Sequence, residues 1–280
     1  MQKFRDATFF VKFTMVSGTF IVLAFVFFAI FAEIVSPYDP LRITSLTYAP
    51  PGTEGHILGT DMLGRDILSR IIYGSRISLY IVIISTLLSS VTGSSLGFVS
   101  GYMGGAVDRI LTMFMDALYG FPAFVLSITI GVMMGPPLTP EKLAIAVMVG
   151  WIPMYYRMMR SLSISVKQQD FIRAERMMGA GVIYIIAKHI VPYAVPTFLV
   201  LAFMNISRSL LYIGGLGFLG VGVPAPTPEW GTDLSLGRDG IVSLVWWPSV
   251  FPGVMIVLLT VAFNFVGYGL RDVLAARARA

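Results

Sequence analysis

The sequence predicts an all-α polytopic membrane protein, and three observations carry that prediction. Hydrophobic residues fill 56% of the 280 positions and charged residues only 12%, against roughly 25% charged in soluble domains; a water-soluble fold of this make-up would expose large apolar patches. Six apolar segments are long enough, at about 1.5 Å rise per residue, to cross the roughly 30 Å hydrocarbon layer as helices. Their runs are continuous and lack the period-two alternation of barrel strands, and open strand edges in lipid would leave backbone groups unpaired.

The first expected span covers residues 11–35. Lys3, Arg5 and Lys12 precede its apolar run from Phe13 to Ala32, as in a secretion signal, but the run exceeds the usual length of about 7–15 and no small-x-small cleavage site follows. It reads as a retained helix. Residues 36–75 form an outside loop with the turn-rich stretches PYDP and APPGTEG, then DMLGRDILSRIIYG. There Leu63, Ile67, Leu68, Ile71 and Ile72 share one helical face, with Arg65, Asp66, Ser69 and Arg70 opposite. That pattern predicts a helix lying along the membrane surface.

Further spans are expected at 77–101, 110–135, 142–161, 194–222 and 247–270. Gly93, Gly97, Gly101 and Gly105 recur every fourth residue and would let a neighbouring helix approach closely. The domain plan is a first helix and outer loop over 1–75, a membrane domain over 76–272 and a tail over 273–280. With the N-terminus in the cytoplasm, thirteen of the 20 Lys and Arg residues fall inside, six outside, and Arg208 within a span. The positive-inside rule therefore places both termini in the cytoplasm.

Little in the chain suggests chemistry. It has no cysteine, so disulfide frameworks and Cys-based metal or redox sites are excluded. The basic excess reports orientation in the bilayer, and nucleic acid is not an expected partner. Gly215-x-Gly217-x-x-Gly220 matches the dinucleotide fingerprint in form, but it lies in an apolar span without the strand that fingerprint needs, and reads as helix packing. No GxxxxGK[ST] loop occurs, so any ATP must be bound by another subunit. His56 and His189 lie in loops on opposite sides and read as solvated; no metal site or cofactor is expected. The 16 methionines read as gap-filling apolar residues. Asp116 and Arg208 are the ionisable residues placed within spans, and charges there often line a pathway or wet cavity. Asp116 can alternatively snorkel to the interface.

The second long loop, between the fourth and fifth spans, is cytoplasmic by the same count and contains FIRAERMMGAGVIYIIAKHIVPYAVP. Phe171, Ala174, Met177 and Met178 repeat at helical spacing, opposite Asp170, Arg173 and Arg176. Gly179 can stop that helix, and a second short helix from Val182 would end at Pro192. Two stubs hinged at glycine would make a knob with a methionine and aromatic tip. A hairpin lying in the headgroups is the alternative.

Here the residues resemble a known family. RAERMMG followed by HIVP is similar to the signature loop of ABC importer permeases. HILGTDMLGRDILSRIIYGSRISL, GYMGGAVDRI, MDALYGFP, DFIRAERMMGA, KHIVPY, LGFLGVGVPAPTPEWGTDL and AFNFVGYGLRD resemble, in order, blocks of the second permease of dipeptide, oligopeptide and nickel importers. The resemblance runs from about His56 to Asp272. It implies a type I importer fold with six spans and a cytoplasmic coupling helix, here about Gln169 to Met178, that docks on an ATPase. It also implies a second permease as heterodimer partner, two ATPase subunits, an extracytoplasmic binding protein, and a bacterial or archaeal inner membrane rich in lipid contacts. The chain itself would be a transport subunit and no enzyme. Ala174, Gly179 and Pro192 match the loop pattern, and Asp170 and Arg176 match acidic and basic positions of the peptide branch. Arg173 stands where the general motif has Glu, and Glu175 replaces an Ala, so Asp170 or Glu175 must supply the acidic contact. Peptides are the leading substrate class; nickel chelates and oligosaccharides are alternatives, as is, in a different class, an ion-coupled carrier.

Overall fold

The computed structural model describes residues 2–277, and side chains over 13–274. The basic residues at 3, 5, 12, 277 and 279, and most of the tail, lie outside the described side chains. Helices follow in chain order: α1 Gln2–Ile30, α2 Ala32–Val35, α3 Ile67–Met103, α4 Gly105–Tyr119, α5 Ala123–Met133, α6 Pro140–Lys167, α7 Asp170–Met177, α8 Val182–Ile185, α9 Val191–Phe218, α10 Trp230–Ile241 and α11 Trp247–Arg277. Among the described residues the only extended pairings are isolated bridges, Thr53 with His56 and Thr60 with Asp66. The protein is all-helical.

Four helical stretches are long and apolar enough to cross a membrane: Phe13–Ile30, Ile67–Met103, Val182–Phe218 and Trp247–Leu274. A fifth appears if α4 and α5, bent by 89°, count as one broken span. The bend falls at Gly120–Phe121–Pro122, where proline cannot continue the ladder and restricts the residue before it. The 28-residue α6 carries Glu141, Lys142, Arg157, Arg160 and Lys167 and is not among these apolar helices.

The central packing is α3 against α6. A Cβ at Gly93, Gly97 or Gly101 would come within 2.5, 2.6 and 2.5 Å of the carbonyl oxygens of Ile152, Tyr156 and Arg160. Both helices thus advance by four residues along one seam, and only glycine allows that approach. Gly105 is not part of it: α3 has ended, and Gly105, at φ +59°, opens α4 with no neighbour in reach. Gly217 makes a second such approach, its Cβ position lying 2.5 Å from the Gly231 backbone, so the Gly-x-Gly-x-x-Gly stretch is a packing feature.

The expected surface helix is replaced by something more buried. Ile67–Ile72 form the first turns of α3, capped by Asp66, whose carboxylate accepts from the Ser69 amide at 2.8 Å. Arg65, Asp66, Ser69 and Arg70 are buried and satisfied within the protein. Arg65 pairs with Asp61 at 2.6 Å, and Arg70 pairs with Asp233 of α10 and donates to the carbonyls of Pro40 and Pro226. The polar side that periodicity assigns to headgroups binds the segments around residues 40, 61, 226 and 233 instead. His56 is likewise buried rather than solvated, with Nδ1 2.9 Å from Asp66 Oδ1.

Candidate coupling surface and translocation face

The segment after α6 turns sharply into the eight-residue α7. Asp170 occupies its first turn and Arg176 its last, each charge complementing the helix dipole. The end is set by Gly179, at φ +88°. The Gly179 amide donates to Arg176 and the Ala180 amide to Glu175, the paired bonds of a Schellman termination. A Cβ there would have space but not a relaxed backbone.

One side chain anchors α7. Ile172 is fully buried and belongs to the main hydrophobic core, whereas the rest of α7 does not. Around it the helix faces outward: Arg173, Ala174 and Arg176 are exposed, Phe171 is about half so, and Met177 and Met178 are 86% and 75% exposed. The sequence reading placed the knob's apolar tip at these residues but missed the anchor, which lies one residue beyond Phe171.

The second limb differs from expectation. It is no separate stub ending at Pro192: α8 passes through a π-turn at Ile186–Ile190 into α9, giving one rod from Val182 to Phe218. Pro192 cannot donate to a carbonyl one turn earlier, and a wider turn before it lets the helix continue. His189 lies on this rod, not in a solvated loop. Its Nε2 is 3.3 Å from Glu175 Oε1, without hydrogen-bond geometry, and its ring lies against Phe171 at 5.8 Å. The two acids of α7 are therefore differently placed. Glu175 turns back toward His189, whereas the Asp170 side chain is 96% exposed beside Arg173.

The two ionisable residues assigned to spans do not meet. Asp116 pairs with Arg157 at 2.7 Å on an exposed face, and that guanidinium lies 3.8 Å from the Tyr119 ring centre. Arg208 is exposed on α9; among the described residues it has no carboxylate partner, and Nη1 lies 3.9 Å from Met154 Sδ. Tyr212, one turn along α9, packs between Phe124 at 5.5 Å and Trp151 at 5.0 Å. A guanidinium without a carboxylate partner beside an aromatic layer can bind an anion or a carboxylate.

Sequence reasoning overlooked a buried polar cap at the opposite end from α7. Glu229 caps α10, accepting from the amides of Gly231 and Thr232, both at 2.9 Å, and from Ser78 at 3.2 Å. Trp230, fully buried, donates its indole N–H to the Ile71 carbonyl at 3.0 Å. Burial pushes the Asp233 carboxyl up to about 6, with Arg70 pulling the other way. An acid two residues before Gly231 and three before Thr232 was the available capping signal. Asn205, buried between α3 and α9 beside Thr86 and Ser209, was missed as well.

Residues 93–280, which include α7, Asp116 and Arg208, match the family described as binding-protein-dependent transport system inner membrane component. Over 263 residues the chain is 39% identical to the dipeptide transport system permease protein DppC of Haemophilus influenzae, covering 92% of this chain and 88% of that one. It is 36% identical to the glutathione transport system permease protein GsiD of Pectobacterium atrosepticum, with 92% and 85% covered. The probable D,D-dipeptide transport system permease protein DdpC of Escherichia coli is 33% identical, with 94% and 87% covered. The chain therefore belongs to the family of inner-membrane components of binding-protein-dependent transport systems.

Proposed function

We propose that this chain is the peptide-translocating permease subunit of an ATP-driven importer. The observation that carries the reading is the 39% identity to a dipeptide permease across 92% of the chain. In this reading it pairs with a second permease and two ATPase subunits, and receives peptides from an extracytoplasmic binding protein. The six crossings are α1, α3, the bent α4–α5 pair, α6, the α8–α9 rod and α11. The plan of a first helix and loop over 1–75, a membrane domain over 76–272 and a tail over 273–280 follows. Both termini and α7 face the cytoplasm. The more polar α6 is tolerated as a crossing because it is packed along α3, with Tyr155, Tyr156 and Met159 fully buried.

The coupling surface is α7 with its cap: Asp170, Phe171, Arg173, Ala174, Glu175, Arg176, Met177, Met178 and Gly179. Support comes from an outward helix rigidly held by Ile172 and terminated at Gly179. Asp170 is the better candidate for the acidic contact, because Glu175 turns toward His189. ATP-driven closure of the ATPases moves this knob, and the bundle shifts between two packings that differ by a few kcal/mol. Arg208 lines the translocation face, and Asp116, already paired with Arg157, borders it.

The test is uptake by the reconstituted transporter. Charge reversal of Arg173 and Arg176 together is expected to abolish ATP-driven peptide uptake while membrane insertion stays at the wild-type level. Uptake by this chain without an ATPase, or unimpaired uptake by the doubly reversed variant, would overturn the reading.

A further inference from the structure

Two cavities lie along the C-terminal part of α3. The first, about 460 Å³, is bounded by Val91, Phe98 and Val99 of α3 and by Ile183, Val191 and Phe198 of the α8–α9 rod. Its lining is apolar apart from Ser94 and Ser95. The second, about 380 Å³, is lined by Gly101, Gly104, Asp108, Lys167, Arg173 and Arg176, among others. Both fall within the roughly 300–1,000 Å³ of ligand pockets. Val91, Ser94, Ser95 and Phe98 follow helical spacing along the first cavity, and Gly101 of the second lies three residues beyond Phe98 on α3.

The second cavity has a surplus of positive charge. Asp108 is held by Arg160 through contacts of 2.5 and 2.6 Å, which cancels its charge. Asp170 offsets only Arg173, at 3.2 Å, and Glu175 turns toward His189. Lys167 and Arg176 are left without a carboxylate partner among the described residues; Lys167 donates to the Tyr102 carbonyl. An oily groove leading to a basic cavity at a membrane edge matches an amphiphile with an anionic head.

The groove also opens to the protein surface, with Val191 and Val195 of its rod wall 37% and 43% exposed. With the rod a membrane crossing, as proposed above, that opening is available to lipid.

We propose that the two cavities form one site for an anionic phospholipid of the α7-side leaflet. Its phosphate sits among Lys167, Arg173 and Arg176, and an acyl chain fills the groove between α3 and the rod. The bound lipid would then touch both limbs of the bend that carries α7 and set how far that helix projects.

The assembled transporter in nanodiscs of mixed phosphatidylglycerol and phosphatidylcholine tests this, with retained lipid counted by native mass spectrometry. Lys167→Ala and Ala187→Trp are used because neither lies on the proposed ATPase-contacting helix, and Val99→Trp blocks the groove from its other wall. Wild type is expected to retain phosphatidylglycerol over phosphatidylcholine. Lys167→Ala should cut that preference about fivefold, as for one lost basic contact near a membrane surface, and Lys167→Arg should keep it. Either tryptophan variant should displace the lipid. No preference in wild type, unchanged retention in Lys167→Ala and both tryptophan variants, or disulfide cross-linking of Val99→Cys to a cysteine on the second permease would overturn the proposal. Peptide uptake is measured on the same samples: a wild type that retains the lipid but transports nothing refutes the transport reading alone.

Discussion

A methyl group on residue 97 would sit 2.6 Å from the carbonyl oxygen of Tyr156, which cannot retreat without dragging α6 with it. Gly97→Val is therefore expected to lower stability by about 1–3 kcal/mol, read as a lower thermal midpoint in detergent. Gly181→Ala, with open space around an ordinary φ of −72°, should leave the midpoint unchanged. The seam was legible in the four-residue glycine spacing, because close helix contact has a periodic signature. Its end at Gly101 was not, since Gly105 continues the spacing after the helix has stopped. Individual charges were least legible. Arg70 reads as part of a surface helix's polar face and His56 as solvated because their partners, Asp233 and Asp66, are assigned only by the fold.

For elements, α7 shows which features a sequence carries by itself. A glycine stop and flanking charges are local, and both appear where the sequence puts them. The choice of Ile172 over Phe171 as the anchor is tertiary, set by which side of α7 is turned into the core as the chain leaves α6. The fusion of the second limb with α9 is also tertiary, because the π-turn before Pro192 has no reliable residue signature. The exposed methionines lead to a sharp expectation. In a docked complex, a pair of apolar side chains buried at the centre of the contact can form one hot spot worth about 2 kcal/mol by truncation. Met177→Ser with Met178→Ser should weaken ATPase binding by about 30-fold or more, measured by titrating purified ATPase onto the nanodisc-bound permeases. The thermal midpoint of the permease itself should not move, because these side chains touch little within it. A fallen midpoint with unchanged binding would assign them to folding instead.

At the scale of the whole molecule, composition announced a helical membrane protein, and four of the expected apolar runs, or five with the bent α4–α5 pair, fall on helices long and apolar enough to cross, but the cap opposite α7 had no such announcement. It is assembled from segments far apart in sequence, and the Arg70–Asp233 pair joins residues 163 positions apart. Arg70 also reaches Pro40 and Pro226, so one guanidinium ties α3, the loop between α2 and α3 and the segment leading into α10. Both partners are buried, which makes the pair costly to break and of modest net worth when intact. Asp233→Leu leaves a guanidinium without its counter-ion and should cost about 3–5 kcal/mol; Arg70→Met strands a carboxylate, with a similar cost. The double substitution removes both charges at once and should recover most of the loss in thermal midpoint. If instead the cost of the double equals the sum of the singles, the two residues act independently and the cap is held by Glu229 and Trp230. Because the cap lies opposite α7, a stable double variant that still binds ATPase but no longer imports peptide would further place the cap in the alternation between packings. A double variant that imports normally would make it a passive tie.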